Sequence, residues 1–266
     1  MYIKILITAC AFFAKADYLI GGKALVTKKE VKKAKKEYES IGLNDSDIKK
    51  RIIEVKKLAF ILKNAGIIGV PKFFKEKVRK DELTQYELDE LLLENFFKDF
   101  KASTQVTKEE IETRKKEYES KNSEPLFRLR EIFLSIKGTD IKDEQEVLNQ
   151  IRKFRELVLK HGPEKFAELA YKFSQRSSKF SKGLIGNLRE SQIPLIIKLE
   201  LQKLNDSPVT DIVREKEGYS FFVLEGILPK GLIPSDDEIK EEILSEKLNA
   251  KIKFVKENNP AFLKTV

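Results

Sequence analysis

Two short runs, 126–136 and 218–228, constrain this chain most. Both are rich in β-branched and aromatic residues and bounded by Gly or Pro, so they read as strands. Between them the apolar spacing changes. Val147, Leu148, Ile151, Phe154, Leu157 and Val158 recur at steps of three and four, which predicts an amphipathic helix over 144–160. Gly162 stands where a helix C′ glycine belongs, and Pro163 can open a second helix at its first position. Phe166, Leu169, Ala170 and Phe173 supply that helix's apolar stripe. Strand, helices and strand within about 100 residues define a small α+β domain.

The remaining sequence reads as helix. Segments 28–40, 45–64, 71–80 and 84–101 are predicted helical, with Gly66, Gly69 and Pro71 as breaks. Leu88, Leu91, Leu92, Phe96 and Phe100 are expected on one face of the last of these. Val26-Thr27-Lys28-Lys29-Glu30 and Val106-Thr107-Lys108-Glu109-Glu110 are near copies, each leading to Lys-Lys-Glu-Tyr-Glu-Ser at 35–40 and 115–120. In each, Thr precedes Glu by three positions, the pattern of a capping box. We read the pair as two good helix starts rather than a duplicated domain. Helix 107–121 leads to a linker, Lys121-Asn122-Ser123-Glu124-Pro125. Asp236–Asn258 forms a final helix whose apolar face is Ile239, Ile243, Leu244, Leu248, Ile252 and Val255.

With 266 residues and 41% hydrophobic content, the chain can bury the cores of two domains. Its net charge is +9, but Lys and Glu alternate rather than segregate. That pattern suits solvated helices and argues against a nucleic-acid stripe with interleaved aromatics. The single histidine, His161, falls at a helix end, where a cation complements the helix dipole. With one His and one Cys, no metal site or Cys–His pair is implied. Residues 1–16 carry Lys4, an apolar run from Ile5 to Phe13, and Ala14-Lys15-Ala16, the pattern of a secretory signal peptide. Cleavage after Ala16 leaves Asp17 first and a mature chain without cysteine, which suits an oxidising compartment. The alternative is a lipobox, Ile7-Thr8-Ala9-Cys10, with Cys10 lipidated. No other apolar run approaches 18 residues, so the mature protein is expected to be soluble or peripherally associated with a membrane.

Phe166-Ala167-Glu168-Leu169-Ala170-Tyr171-Lys172-Phe173-Ser174, followed by Ser177-Ser178-Lys179-Phe180-Ser181-Lys182-Gly183-Leu184-Ile185-Gly186-Asn187-Leu188, resembles the signature of parvulin-type prolyl isomerases. In that family a helix F-x-x-L-A-x-x-x-S precedes a Ser-rich turn and G-G-x-L-G. The likeness spans about residues 126–229. Leu126–Leu134 resembles the family's first strand, V-R-A-S-H-I-L. Asp206–Val213 resembles G-E-V-S-x-P-V, and Gly218–Leu224 resembles G-Y-H-I-I-x-L.

The resemblance also implies where the catalytic residues should stand. The first family histidine falls at Glu131, the Cys or Asp at Arg176, and the second histidine at Ser220. The Met and Phe of the proline pocket fall at Ile193 and Ile197, with Leu188 beside them. The polar catalytic positions are all replaced, whereas the pocket stays apolar. Glu131 and Arg176 are expected to pair across the floor of the groove. Arg128 and Arg130 also offer Glu131 local partners.

Gly21-Gly22-Lys23-Ala24-Leu25-Val26-Thr27-Lys28-Lys29-Glu30 is similar to a lead-in found in secreted SurA-like and PrsA-like chaperones. In that family the C-terminal helix completes the N-terminal helical domain. The resemblance therefore implies an α+β chain with a signal peptide (1–16), a mainly helical chaperone domain (17–121) completed by helix 234–258, and a parvulin-like domain (126–229). It implies a periplasmic or cell-envelope chaperone for unfolded or extended polypeptides, with no cofactor and no nucleic-acid partner. Phe60, Ile67, Ile68, Phe73 and Phe74 are candidates for client contact, at least half of them expected in the core. The alternative is a working peptidyl-prolyl isomerase.

Overall fold

A computed structural model describes residues 19–20, 23–24, 26–41, 43–121, 123–136 and 141–258. The signal-peptide segment, with Cys10 and Asp17, lies outside the described residues. The chain divides into two compact units, residues 1–102 with 251–266, and residues 103–250.

The first unit begins with a minimal antiparallel pair, β1 (Leu19–Ile20) and β2 (Lys23–Ala24). Helices α1 (Lys28–Tyr38), α2 (Asp45–Asn64), α3 (Lys72–Arg79) and α4 (Gln85–Ser103) follow; α4 ends one residue beyond the unit. The capping box is formed: Thr27 Oγ1 accepts from Glu30 N, and Thr27 N donates to Glu30 Oε2 at 2.8 Å. Glu30 does more than cap. It is buried, accepts from Lys56 Nζ on α2 at 2.7 Å, and accepts from Tyr86 N at the start of α4 at 3.1 Å. One carboxylate therefore holds three helices, while the buried Tyr38 and Tyr86 hydroxyls, on two of the same helices, meet at 2.6 Å.

Two expectations for this unit are corrected. On α4 the buried line is Tyr86, Asp89, Leu93 and Phe97 with Leu88 and Leu92, whereas Leu91, Phe96 and Phe100 are only half-buried. Anchoring by Asp89, which accepts from Lys63 Nζ and Gln85 Nε2, turns that stripe inward. None of Phe60, Ile67, Ile68, Phe73 and Phe74 is fully buried, and Phe73 is 60% exposed. The interior side of α2 is already filled by Val55, Ala59, Ile61 and Leu62, and α3 buries no residue.

The second unit holds α5 (Lys108–Glu119), β3 (Leu126–Ser135), α6 (Ile141–His161), α7 (Pro163–Phe173), β4 (Leu184–Arg189), α8 (Leu195–Gln202), β5 (Val213–Glu215), β6 (Gly218–Leu228) and the part of α9 (Asp236–Glu257) up to Ala250. The strands form an antiparallel sheet in the order β4-β3-β6-β5. Alternation along β3 and β6 sorts the side chains. Phe221 packs edge-on against Phe166 of α7, with ring centroids 5.7 Å apart. Its neighbour Phe222 joins Leu129, Val213 and the α8 residues Ile197 and Leu201 in a separate apolar cluster. A third cluster joins Tyr118 of α5 to Leu126, Ile239 and Ile243. This is the structural reason that α5 and the start of α9 belong with the sheet. α6 ends on His161, and Gly162 follows at φ 79°.

Replacing Lys56 with Met should leave Glu30 buried without its cation. Breaking such a pair costs about 3–5 kcal/mol. Urea unfolding should show that loss in the first unit; a change below about 1 kcal/mol would mean that Thr27 and Tyr86 alone hold Glu30.

Candidate functional site

Glu131 is placed by its backbone. Its N–H donates to Gly183 O at 2.8 Å, and the Gly183 N–H in turn closes the Ser177–Ser181 turn by donating to Ser178 O at 2.8 Å. Gly183 has φ +87°, and a Cβ there would stand 2.7 Å from Glu131 O, so only glycine permits this approach. Arg176 is aimed by the preceding residues. Ser174 Oγ accepts from Phe133 N, Gln175 N donates to Phe133 O, and Gln175 Oε1 accepts from Ser135 N. The segment is thereby laced to the end of β3.

The Glu131 and Arg176 side chains meet. Arg176 Nη1 donates to Glu131 Oε2 at 2.6 Å, and Ser178 Oγ donates to Glu131 Oε1 at 2.8 Å. Arg176 Nη2 also donates to Glu215 at the end of β5, and the guanidinium lies 4.1 Å from the Phe133 ring centroid. Burial pushes the Glu131 carboxyl above the ordinary glutamate range, against the lowering effects of Arg176 and Ser178. The result is a chain of charge, Ser178–Glu131–Arg176–Glu215, stacked on an aromatic ring.

Arg128 and Arg130 do not serve Glu131. They pair with Glu225 of β6 and with Glu241 of α9. Alternation along β3 turns them to the opposite face. Ser220 is completely buried between its strand partners Phe133 and Val213, and its Oγ has no partner among the described residues. It is not joined to the Glu131–Arg176 pair. Ile193 and Ile197 are buried in the apolar cluster, with Leu188 half-buried against it. The other side of α8 leaves Leu195, Ile196 and Leu199 exposed.

Sequence reasoning missed two acidic residues. Glu215 sits on a three-residue strand, where nothing in its surroundings marks it. Glu242 lies on α9 and is buried. It accepts from Tyr118 Oη, Asn187 N and Asn187 Nδ2, each at 2.7 Å. Its position one residue before Ile243 placed it at the edge of the apolar stripe, the only available signal. A cavity of about 510 Å³ lies between α5, β4 and α9, lined by Tyr118, Glu131, Arg176, Asn187 and Glu242 among others. Among the described residues no group of three or more His, Cys, Asp or Glu is arranged to hold a metal.

Residues 132–226 match the family model described as Rotamase: PPIC-type PPIASE domain. The chain thus carries a parvulin-type domain, and Glu131 stands one residue before the matched segment. Among solved structures, the chain is similar to a PpiC-type peptidyl-prolyl cis-trans isomerase domain, at 20% identity over 42% of this chain and 99% of that one, with a TM-score of 0.36. It is also similar to PrsA from Bacillus subtilis, at 23% identity over 91% of this chain and 76% of that one, TM-score 0.33. A third similar structure comes from Campylobacter jejuni, where PEB4 and the periplasmic protein Cj1289 are described as SurA-like chaperones. It shows 20% identity over 92% of this chain and 95% of that one, TM-score 0.30. No curated protein matches the chain.

Burial pushes the Glu242 carboxyl upward, against the lowering effects of Tyr118, Asn187 and Arg128. The folded protein therefore holds this proton at pH values where the unfolded chain has lost it. The group's contribution to stability is greatest below about pH 4, where unfolded glutamate titrates. It declines as pH rises through the raised folded value. Replacing Glu242 with Gln should remove that decline, so the stability difference between variant and parent should shift toward the variant from pH 4 to pH 8. Replacing it with Ala should strand the Tyr118 and Asn187 donors at about 1–3 kcal/mol each. Chemical denaturation across the pH range checks both; a pH-independent difference for Gln would contradict the burial argument.

Proposed function

We infer that the protein is a periplasmic or cell-envelope chaperone that holds unfolded or extended polypeptides, and that its parvulin-type domain binds chain rather than isomerising proline. The observation that carries this reading is the Glu131–Arg176 ion pair at 2.6 Å, at the positions of a family histidine and of the family Cys or Asp. Prolyl isomerisation needs no nucleophile. It needs a site that stabilises a twisted amide against a barrier of roughly 18–20 kcal/mol. Here the guanidinium is engaged by two carboxylates and by the Phe133 face, and Glu131 is engaged by Arg176 and Ser178. Little donor or acceptor capacity is left for a substrate amide. Ser220, at the second histidine position, is sealed from solvent.

Client binding would use exposed apolar surface: Leu195, Ile196 and Leu199 on α8, and the half-buried Phe60, Ile67, Ile68 and Phe74 of the first unit. Such surfaces suit weak, adaptable contact with extended chains. Export by residues 1–16 is part of this proposal, as is cleavage after Ala16 rather than lipidation of Cys10. The second reading, an active isomerase, draws on the apolar character kept at Leu188, Ile193 and Ile197.

The two readings separate in a proline cis/trans exchange assay on a short peptide, run beside suppression of aggregation of an unfolded envelope protein. We expect suppression without measurable exchange. Exchange that is lost when Ile193 or Ile197 becomes Asn would establish the isomerase instead. Replacing Glu131 with Gln and Arg176 with Leu together, so that no buried charge is left unpaired, should leave suppression unchanged.

A further inference from the structure

Helix α3 reads Lys72-Phe73-Phe74-Lys75-Glu76-Lys77-Val78-Arg79 and is followed by Lys80. It buries none of its residues, although it belongs to a unit with a well-filled core. Phe74, Lys77 and Val78 are half-buried on one side. The other side presents Lys72, Lys75, Arg79 and Lys80, with Glu76 as the lone acid, and Phe73 stands among them 60% exposed. None of the five cations of this segment has a carboxylate partner among the described residues. On α1 and α2 the lysines are mixed: Lys29, Lys33, Lys35, Lys50 and Lys63 are paired with carboxylates, whereas Lys28, Lys32, Lys36 and Lys49 stand exposed without one among the described residues; what sets α3 apart is the exposed Phe73 ring among its cations. Lys77 lies over the Phe73 ring at 4.6 Å, and Phe73 packs edge-on to Phe74 at 5.5 Å.

We propose that α3 is a docking element for an anionic lipid surface, with Phe73 entering the headgroup boundary and Lys72, Lys75, Arg79 and Lys80 resting on the phosphates. Uncompensated cations on a short helix seek an anionic partner. An exposed aromatic ring at their centre gives that partner an apolar layer to offer as well. A lipid interface supplies both in one plane, the arrangement interfacial amphipathic helices use. An acidic polypeptide would satisfy the cations but leave the Phe73 ring without a matched environment. The contact is weak and reversible because the helix is short, and it holds the protein near the membrane without anchoring it. The inference stands apart from the proposed chaperone activity, since it rests on α3 alone and is read by lipid binding.

The test is co-sedimentation of the full chain with vesicles of mixed phosphatidylglycerol and phosphatidylcholine, and with vesicles of phosphatidylcholine alone. Binding to the anionic vesicles should be at least tenfold stronger and should weaken steeply between low and physiological salt. Lys72→Gln with Lys75→Gln should lower it by about fivefold per cation removed. Phe73→Ser should lower it further at a salt concentration where the electrostatic contribution is screened. All three positions are exposed, so unchanged thermal midpoints will show that the variants fold. Equal binding to both vesicle types, or variants that bind like the parent, would overturn the proposal. So would retention on immobilised polyglutamate that matches the vesicles and is insensitive to Phe73→Ser.

Discussion

Glu242 is the constraint on which the second unit depends. Its carboxylate is buried and takes its donors from two other elements: Tyr118 on α5, and both the backbone and side-chain amides of Asn187 on β4. β4 is an edge strand, and an unpaired edge invites association with other chains. Here the outward N–H of Asn187 meets a carboxylate where a neighbouring strand would offer a carbonyl. Gly186 makes room for it. At φ +119° a Cβ would lie 3.1 Å from Glu242 Oε1. One acidic side chain thus blunts the sheet edge and ties α5 and α9 to it. A neutral apolar residue at 242 could pack in the same space, but it would strip Tyr118 and Asn187 of the acceptor they share.

The same logic of charge explains how the parvulin-type domain accommodates Glu131 and Arg176 in its interior and remains folded. The hydrophobic work is done elsewhere. Phe166, Leu169 and Phe221 pack on one side of the sheet, and Ile197, Leu201 and Phe222 form the cluster under α8. Glu131 and Arg176 sit between these masses and contribute little apolar burial. A buried carboxylate and a guanidinium satisfy one another only when both are present. A lone Glu131 would be a buried uncompensated charge. Arg176, Ser178 and the backbone path through Gly183 prevent that.

Much of this was legible in the sequence because it depends on local spacing. Both capping boxes form, with Thr107 and Glu110 repeating the Thr27–Glu30 geometry, since three-residue spacing fixes it within one helical turn. The strands at 126–135 and 218–228 and the helix ending on His161 follow from period and from Gly and Pro punctuation. The meeting of Glu131 and Arg176 was reachable only through the family motif, which aligned two positions 45 residues apart. Glu215 and Glu242 were not legible. Each is a charged residue in a segment full of charged residues, and only the fold distinguishes the buried acid from its solvated neighbours. The inward line of α4 was misjudged for a related reason. Asp89 looks like a surface residue until Lys63 and Gln85 are brought to it.

Burial of charge also separates the roles of the two near-copies. After the first capping box, Glu30 is enclosed and bonded to Lys56 and Tyr86, so the cap is part of a core. After the second, Glu110 is partly exposed and meets Lys247 across to α9 at 2.7 Å. The corresponding tyrosines diverge in the same way: Tyr38 finds another phenol, whereas Tyr118 finds the buried carboxylate of Glu242. Identical local sequence therefore produces identical helix starts and different tertiary bonds. The cap is set by residues three apart, while its partner is set by whichever helix the rest of the chain delivers. A solvent-screened pair such as Glu110–Lys247 contributes little to stability. The buried Glu30 and Glu242 are the acids whose loss each unit would feel.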